Sequence, residues 1–225
     1  MSDGNESEPA VNQIRERAQK QFPAVLLTLI SIIQALALEL MWSTIMSLEF
    51  LWQFSLTSLV TWGMLSVALM GILLIWVLYT TLVMGFVWQP SLRDSLLPFV
   101  IGIQEFMLLS FIGIEFRGVW LYVLALLFVT VNWIVHISLR RARKHPANSQ
   151  YFSTISPATW RDFLPSIVIV SIAVILGLAV DVSGNRNWLP LVAIVFANGV
   201  LFFQIMVTRR LWWSLMADIP DGKEP

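Results

Sequence analysis

Apolar residues fill six long stretches of the chain, and polar residues are largely confined to the segments between them. The stretches cover residues 22–44, 55–86, 96–115, 118–139, 163–182 and 188–208. Each is close to or longer than the ~20 residues that a helix needs to cross the hydrocarbon core of a bilayer. Runs such as 168–180 lack the alternation of a barrel strand, and backbone polar groups cannot stay unpaired in lipid. The pattern therefore predicts an all-α fold, a polytopic transmembrane bundle of six helices.

The composition supports this assignment. Of the 225 residues, 57% are hydrophobic and only 12% are charged, and the mean hydropathy is +0.76. A water-soluble domain of this size needs more polar surface than that. We therefore predict an integral protein of a bacterial cytoplasmic (inner) membrane, with the lipid bilayer as its main partner. The predicted division is a polar tail over 1–21, a transmembrane domain over 22–210 and a second tail over 211–225.

The distribution of Lys and Arg predicts the orientation in the membrane. All but two of the 14 basic residues lie in the two tails and in the second and fourth connections between stretches, the exceptions being Arg117 and Arg186. Because basic segments stay on the cytoplasmic side, both termini are predicted to face the cytoplasm. The densest cluster comprises Arg140, Arg141, Arg143 and Lys144. Besides setting the topology, this cluster is predicted to attract anionic lipid headgroups.

Two segments resemble each other where the third and fifth stretches begin. Residues 90–98 and 157–165 each run from Pro to Pro with an Arg-Asp pair between. Proline suits the first turn of a helix, where its missing N–H would have no partner anyway. The similarity favours three helical hairpins made of consecutive stretches. A shared topogenic need for basic segments at these positions is the alternative explanation.

Glu105 is the most deeply placed charge in the chain. It follows Pro98 by seven residues, which puts it ~10 Å into the third stretch. An ionised carboxylate at such depth costs at least ~2.5 kcal/mol on insertion scales, so these residues usually face a bundle interior or a wet cavity. Glu105 is therefore the main candidate for a functional residue. The alternative is a packing residue that joins helices through hydrogen bonds.

Other polar side chains at membrane depth are candidates to line a pathway with Glu105. They are Gln34, Gln104, Asn132, His136, Asn198 and Gln204. Each alone is more typical of helix packing, because Asn, Gln and His often form hydrogen bonds between transmembrane helices. A metal ion shared by Glu105 and His136 is a minor alternative, and we predict no metal and no cofactor.

Three acids are predicted near the far ends of the first, third and fifth stretches. They are Glu39, Glu115 and Asp181. Glu39 and Asp181 each follow a proline by 16 residues, ~24 Å along a helix. The acids are predicted to form an outer ring, unless they are ordinary helix-end residues that reach water. Glu39 is also a pathway candidate because apolar residues follow it.

Small residues share a helical face with the acid in each of these three stretches. The faces comprise Thr28, Ser31, Ala35, Glu39 and Ser43; Gly102, Glu105, Leu109 and Gly113; and Ser166, Val170, Ala173, Gly177 and Asp181. Because small residues let helices approach closely, we predict that these faces point into the bundle or toward an oligomer axis. The even-numbered stretches, rich in Leu, Phe and Trp, are predicted to form an outer layer facing lipid.

The chain lacks the sequence signatures of an enzyme. It has no HExxH, no GxSxG and no glycine-rich phosphate loop, and it has no cysteine. An intramembrane enzyme is therefore the least favoured class, and we predict that the protein is not an enzyme.

Two functional classes remain. One is a small channel or transporter for an ion or small solute, with an intramembrane carboxylate in the pathway. The other is a non-catalytic membrane scaffold or accessory subunit of a membrane complex. We favour the first, because a scaffold needs no buried carboxylate. The predicted protein partners are a second copy of the chain or another membrane protein, and no nucleic acid.

Overall fold

The computed structural model describes residues 7–87, 92–153, 156–184 and 188–217. These residues form seven α-helices: α1 (Ser7–Ser47), α2 (Leu56–Gly85), α3 (Leu92–Ser110), α4 (Arg117–Ala142), α5 (Ser149–Phe152), α6 (Leu164–Val182) and α7 (Leu189–Ala217). Short 3-10 turns lie at Glu49–Trp52, Pro146–Asn148 and Trp160–Phe163. The described ranges contain no strand, so the all-α prediction is confirmed.

Five of the helical segments are long and apolar enough to cross a bilayer. They are Lys20–Ser47, Leu56–Gly85, Arg117–Ala142, Trp160–Val182 and Leu189–Arg210. The chain is therefore a polytopic membrane protein. The third predicted span, α3, is a helix of 19 residues that carries Arg93, Asp94 and Glu105. Because α3 has only 19 residues, every stretch of 18 residues within it contains all three of these charges.

Parts of some predictions fall outside the described residues. These parts are Arg186, Pro90 at the start of the first Pro-to-Pro segment, and the chain ends at 1–6 and 218–225. Within the described residues, α1 begins at Ser7 and α7 runs to Ala217. The helices thus extend into both predicted tails, and the domain boundaries stay predictions.

The six long helices form a closed circuit. In order, α1 packs on α3, α3 on α4, α4 on α6, α6 on α7, α7 on α2, and α2 again on α1. Asp94 at the start of α3 pairs with Arg141 at the end of α4. Tyr122 near the start of α4 donates to Asp181 near the end of α6. Helices α3, α4 and α6 therefore alternate in direction. We call the end with Asp94 and Arg141 the basic end, and the end with Tyr122 and Asp181 the opposite end.

Glycines lie at the three most extensive helix contacts. These contacts join α4 with α6, α2 with α7, and α1 with α3. The pairs at the crossings are Gly177 on Tyr122, Gly63 on Ile194 and Gly102 on Ile33. A Cβ atom at any of these glycines would lie less than 3.0 Å from the partner side chain. The missing side chain therefore sets how closely each pair of helices approaches.

Hairpins are not the main packing unit of the bundle. Consecutive long helices do contact each other, α1 with α2, α3 with α4 and α6 with α7. The three most extensive contacts, however, all join helices from different predicted hairpins. The sequence repeat itself stays a prediction.

The prediction that even-numbered stretches form an outer layer is wrong for α2. Of the spanning segments α2 is the most enclosed, with 56% of its apolar core buried, whereas the fifth stretch, α6, has only 17%. The reason is the position of α2, which contacts α3 and α4 as well as α1 and α7. Its buried side chains include Met64, Leu65, Ile72 and Ile75, whereas Leu73 and Trp76 remain exposed.

The predicted faces point into the bundle on α3 and, except for the exposed Asp181, on α6; on α1 the predicted face does not, and its orientation toward an oligomer axis stays a prediction. Gly102, Glu105 and Leu109 are buried on α3, and Ala173 and Gly177 are buried on α6. On α1, the buried residues are Leu26, Ile30, Ile33, Gln34 and Ala37, and the exposed face carries Thr28, Ser31, Ala35, Glu39 and Ser43. At the contact between α1 and α3 the close approach comes from Gly102 of α3, so α1 can contribute the larger Ile33.

Candidate functional site

Glu105 lies on the inward face of α3 and is only 2% exposed. The side-chain amide of Gln34, on α1, donates to both carboxylate oxygens, at 3.0 Å to Oε1 and 3.1 Å to Oε2. Gln34 is itself buried. The structure thus brings together two of the predicted site residues from separate helices.

The crossing of α1 and α3 explains how these two side chains meet. Ile33 of α1 packs on Gly102 of α3. Gln34 is the next residue of α1, and Glu105 lies three residues after Gly102 on the same face of α3. Close approach at the glycine therefore places the amide within hydrogen-bonding distance of the carboxylate.

The amide of Gln34 can serve both protonation states of Glu105. Its Oε1 atom is buried and, within the described residues, has no hydrogen-bond partner. With an ionised Glu105 the amide acts as a donor, as observed. A neutral carboxylic acid can instead donate its O–H to an amide oxygen while it accepts an amide N–H. The pair is thus chemically suited to a group that gains and loses a proton.

Glu105 also lines a cavity of about 180 Å³ between α2, α3, α4 and α7. The cavity wall is mostly Leu, Ile, Val and Phe, and its polar residues are Glu105, Asn132, Gln204 and Thr208. One water needs only ~10–15 Å³ of such space. The cavity therefore has room for several water molecules beside the carboxylate.

This cavity adjoins two larger ones. Leu78 and Val135 line both the Glu105 cavity and a cavity of about 820 Å³ at the basic end. Phe128 and Gln204 line both the Glu105 cavity and a cavity of about 390 Å³ between α4, α6 and α7. Near the opposite end, the cavity beside Arg117 measures only about 10 Å³. The Glu105 cavity thus adjoins the cavity at the basic end, and it also shares Leu124, Phe128 and Leu201 with a cavity of about 30 Å³ between α4, α6 and α7.

Three of the predicted amides tie helices together. Gln104 donates to Thr130 Oγ1 at 2.9 Å, joining α3 to α4. Asn132 accepts from Ser166 Oγ at 3.3 Å, joining α4 to α6. Asn198 donates to the carbonyl oxygen of Gly63 at 3.2 Å, joining α7 to α2. Of these three, only Asn132 also lines the Glu105 cavity. The cavity therefore includes some, but not all, of the residues predicted to line a pathway with Glu105.

His136 lies apart from Glu105. Its ring packs edge-on against Phe163, with the ring centres 4.9 Å apart, and it lines the cavity at the basic end. The two side chains line different cavities, so the structure does not bring them together as a metal site. Across the described ranges, no group of three or more His, Asp or Glu side chains could hold a metal ion.

The three predicted outer acids are all exposed and do not form one cluster within the chain. Glu115 lies in the connection between α3 and α4, and Asp181 accepts a hydrogen bond from Tyr122 at 3.0 Å. Glu39 lies on α1, which is not a neighbour of α6 in the circuit of helices. The alternative of ordinary helix-end residues fits Glu115 and Asp181 best.

The basic cluster divides into residues with different surroundings. Arg141 donates to Asp94 at 2.7 Å. Arg143 donates to the carbonyl oxygen of Ser156 at 3.0 Å, and its guanidinium lies 4.8 Å from the ring centre of Phe152. Arg140 and Arg143 line the cavity at the basic end.

Sequence reasoning missed Asn148, which organises the basic end. Its side-chain amide donates at 2.7 Å to the carbonyl oxygens of Val87 and Ala142 and accepts from the Val87 N–H at 3.0 Å. These bonds join the end of α2 to the turn after α4. An Asn after a proline in a polar loop is too common to reveal this role.

Comparisons of the chain with protein-family models, with curated proteins and with solved structures find no match. Function is therefore inferred from the site itself.

Proposed function

We propose that this protein is a small membrane transporter that carries protons, and that Glu105 is the group that binds and releases them. One observation carries the proposal. A carboxylate enclosed between α1 and α3 lines a cavity with room for water, and this cavity adjoins a larger one at one end of the bundle. A residue that serves only packing needs no access to such a space, whereas a proton carrier does.

The proposal includes α3 as a sixth span. A helix of 19 residues is ~28 Å long, close to the thickness of the hydrocarbon core. Its Arg93 and Asp94 lie at the basic end, and Glu105 is turned toward Gln34 and the cavity instead of lipid. Six spans place both termini on one side, and the distribution of basic residues makes that side cytoplasmic.

The donor set favours a proton over a metal cation. Calcium takes 6–8 oxygen ligands and magnesium takes six in an octahedron. Glu105 supplies one carboxylate, and its nearest polar neighbour, Gln34, donates hydrogen bonds to it. A proton needs only the carboxylate, and the Gln34 amide can stabilise both of its states.

The larger cavities lie in the half of the bundle with the basic end, and this supports a carrier that faces the cytoplasm in this conformation. The largest of the cavities that adjoin the Glu105 cavity lies at the basic end. In the opposite half, Trp120, Met64 and Val180 are fully buried. In a carrier mechanism this half would have to open in turn, whereas an open pore would need a passage there now.

The test is proton flux in proteoliposomes loaded with a pH-sensitive dye and driven by a potassium diffusion potential. We expect the wild type to conduct and Glu105→Gln to lose at least about tenfold in flux, because the amide keeps the shape but not the titratable proton. Glu39→Gln is the matched control, since Glu39 is exposed on α1 and should leave the flux unchanged. A wild type without flux, or a Glu105→Gln variant with full flux, would contradict the proposal.

The second candidate is a non-catalytic scaffold or accessory subunit. The exposed small-residue face of α1, which includes Ser31, Ala35 and Glu39, favours it. An ionisable side chain among apolar neighbours is more stable against a protein partner than against lipid. If the flux experiment contradicts the transport proposal, the scaffold becomes the favoured function.

A further inference from the structure

The cavity at the basic end combines apolar walls with a basic rim. Its lining includes Leu78 and Leu82 of α2, Phe86 directly after α2 and Leu139 of α4, together with Arg140 and Arg143. We call this cavity the basic-end groove. Its volume of about 820 Å³ is within the ~300–1,000 Å³ typical of ligand pockets.

We propose that the basic-end groove binds one anionic phospholipid. The phosphate lies against Arg140 and Arg143, and an acyl chain lies between α2 and α4. The charge of the rim is complementary to a phosphate, and a guanidinium matches phosphate oxygens in geometry as well as charge. Basic pockets between transmembrane helices on the cytoplasmic side are suited to anionic headgroups.

The depth of the groove identifies a lipid instead of a soluble phosphate. Val135, at its inner limit, precedes Arg143 by eight residues on α4, which corresponds to ~12 Å along the helix. A soluble phosphate would use only the rim and leave the apolar walls uncovered. An acyl chain covers those walls, and burying apolar surface is favourable.

Aromatic packing positions Arg143 at the rim. Its guanidinium lies 4.8 Å from the ring centre of Phe152 and donates to Ser156 at 3.0 Å. Phe152 stacks on Phe86 with the ring centres 5.4 Å apart. These contacts hold the positive charge of Arg143 beside the apolar wall of the groove. Phe152 and Phe86, which line the groove, thus also position Arg143 at its rim.

Asp162, the single acid among the described residues that line the groove, offsets only part of the charge of Arg140 and Arg143. Its carboxylate accepts hydrogen bonds from the backbone N–H and the hydroxyl of Thr159, at 2.7 and 3.0 Å. These bonds fix Asp162 as part of the turn before α6. His136 also lines the groove and adds a ring that can donate a hydrogen bond.

The absence of cysteine from the sequence makes a site-specific probe simple. Ala158 is exposed and lines the groove, so Ala158→Cys can carry a fluorophore. The labelled full-length protein is reconstituted into phosphatidylcholine vesicles with increasing brominated phosphatidylglycerol or, in parallel, brominated phosphatidylcholine. We expect bromine quenching to show a clear preference for phosphatidylglycerol at this position.

Arg140→Gln should lower that preference about five-fold, the effect of one basic residue near a membrane surface. Lys144→Gln is the matched control, because it removes the same charge from an exposed residue of the same cluster that is not among the groove-lining residues. Equal effects of the two substitutions would mean general surface attraction and overturn the proposal. So would equal quenching by the two lipids. Displacement of the lipid by soluble glycerol phosphate would point to a free phosphate site instead.

Discussion

The two halves of this bundle contain the same six long helices but pack differently. Toward the opposite end, Trp120 is fully buried, and the cavity beside Arg117 measures only about 10 Å³. Toward the basic end, cavities of about 180 and 820 Å³ lie between helices of the same bundle. Part of the wall of the larger cavity comes from α5 and from the turn before α6, which lie only at the basic end.

The surroundings of the glycines show where the helices are in close contact and where they are not. Gly63, near the start of α2, lies directly against Ile194 of α7, whereas Gly71, about two turns further on, lines the Glu105 cavity and has no neighbour within 4 Å of an added Cβ atom. Gly177, near the end of α6, likewise lies against Tyr122. Both crossings are in the opposite half. The helices are thus close at that end, and space opens between them toward the basic end.

The largest expected effect comes from a substitution in the closed half. Gly63→Leu places a side chain where Ile194 already lies, and overpacking of this kind costs about 1–3 kcal/mol or more. We expect a clear loss of stability against unfolding in mixed detergent micelles. Gly71→Leu is the matched control and should fold, since it extends into open space. Equal destabilisation by both would remove the distinction between the two halves.

Much of the fold is visible in the sequence because membrane insertion is governed by apolar length and charge. Five of the six predicted spans are helices of the expected length, and the inward face of α3 is the predicted one. The face of α1 that packs inside the bundle is not the small-residue face, because a small residue on either partner suffices for close approach. Here Gly102 of α3 provides it, and nothing within the α1 sequence reveals the glycine opposite.

The candidate site was likewise only partly predictable, because a sequence does not show which helices cross. Glu105 is identifiable from its depth alone, and Gln34 from its type. Their pairing depends on the crossing of α1 and α3, which joins residues 71 positions apart. The position of α2 in the middle of the bundle also depends on contacts between helices, because a helix that is apolar all round can face lipid or a protein core.

The next prediction concerns the Gln34 and Glu105 pair, where the closed and open halves meet. Gln34→Leu leaves the enclosed carboxylate without its amide donor, and an unsatisfied buried polar group costs ~1–3 kcal/mol. In a Glu105→Leu background the same substitution should cost much less. A double-mutant cycle of unfolding free energies measures this coupling. Equal costs in both backgrounds would show that the hydrogen bonds contribute nothing to the stability.

The smallest expected effect concerns the ion pair that joins α3 to α4 at the open end. Arg141 donates to Asp94 at 2.7 Å, and its side chain is 33% exposed while that of Asp94 is 10% exposed. Ion pairs that remain in contact with water contribute ~0–1 kcal/mol and weaken with salt. Arg141→Gln should therefore lower the unfolding free energy by at most about 1 kcal/mol at low salt. The difference from wild type should shrink when the unfolding measurement is repeated at high salt. A larger, salt-independent loss would mean that the open half depends on this pair for its spacing, so that the glycine crossings of the closed half do not hold the bundle together by themselves.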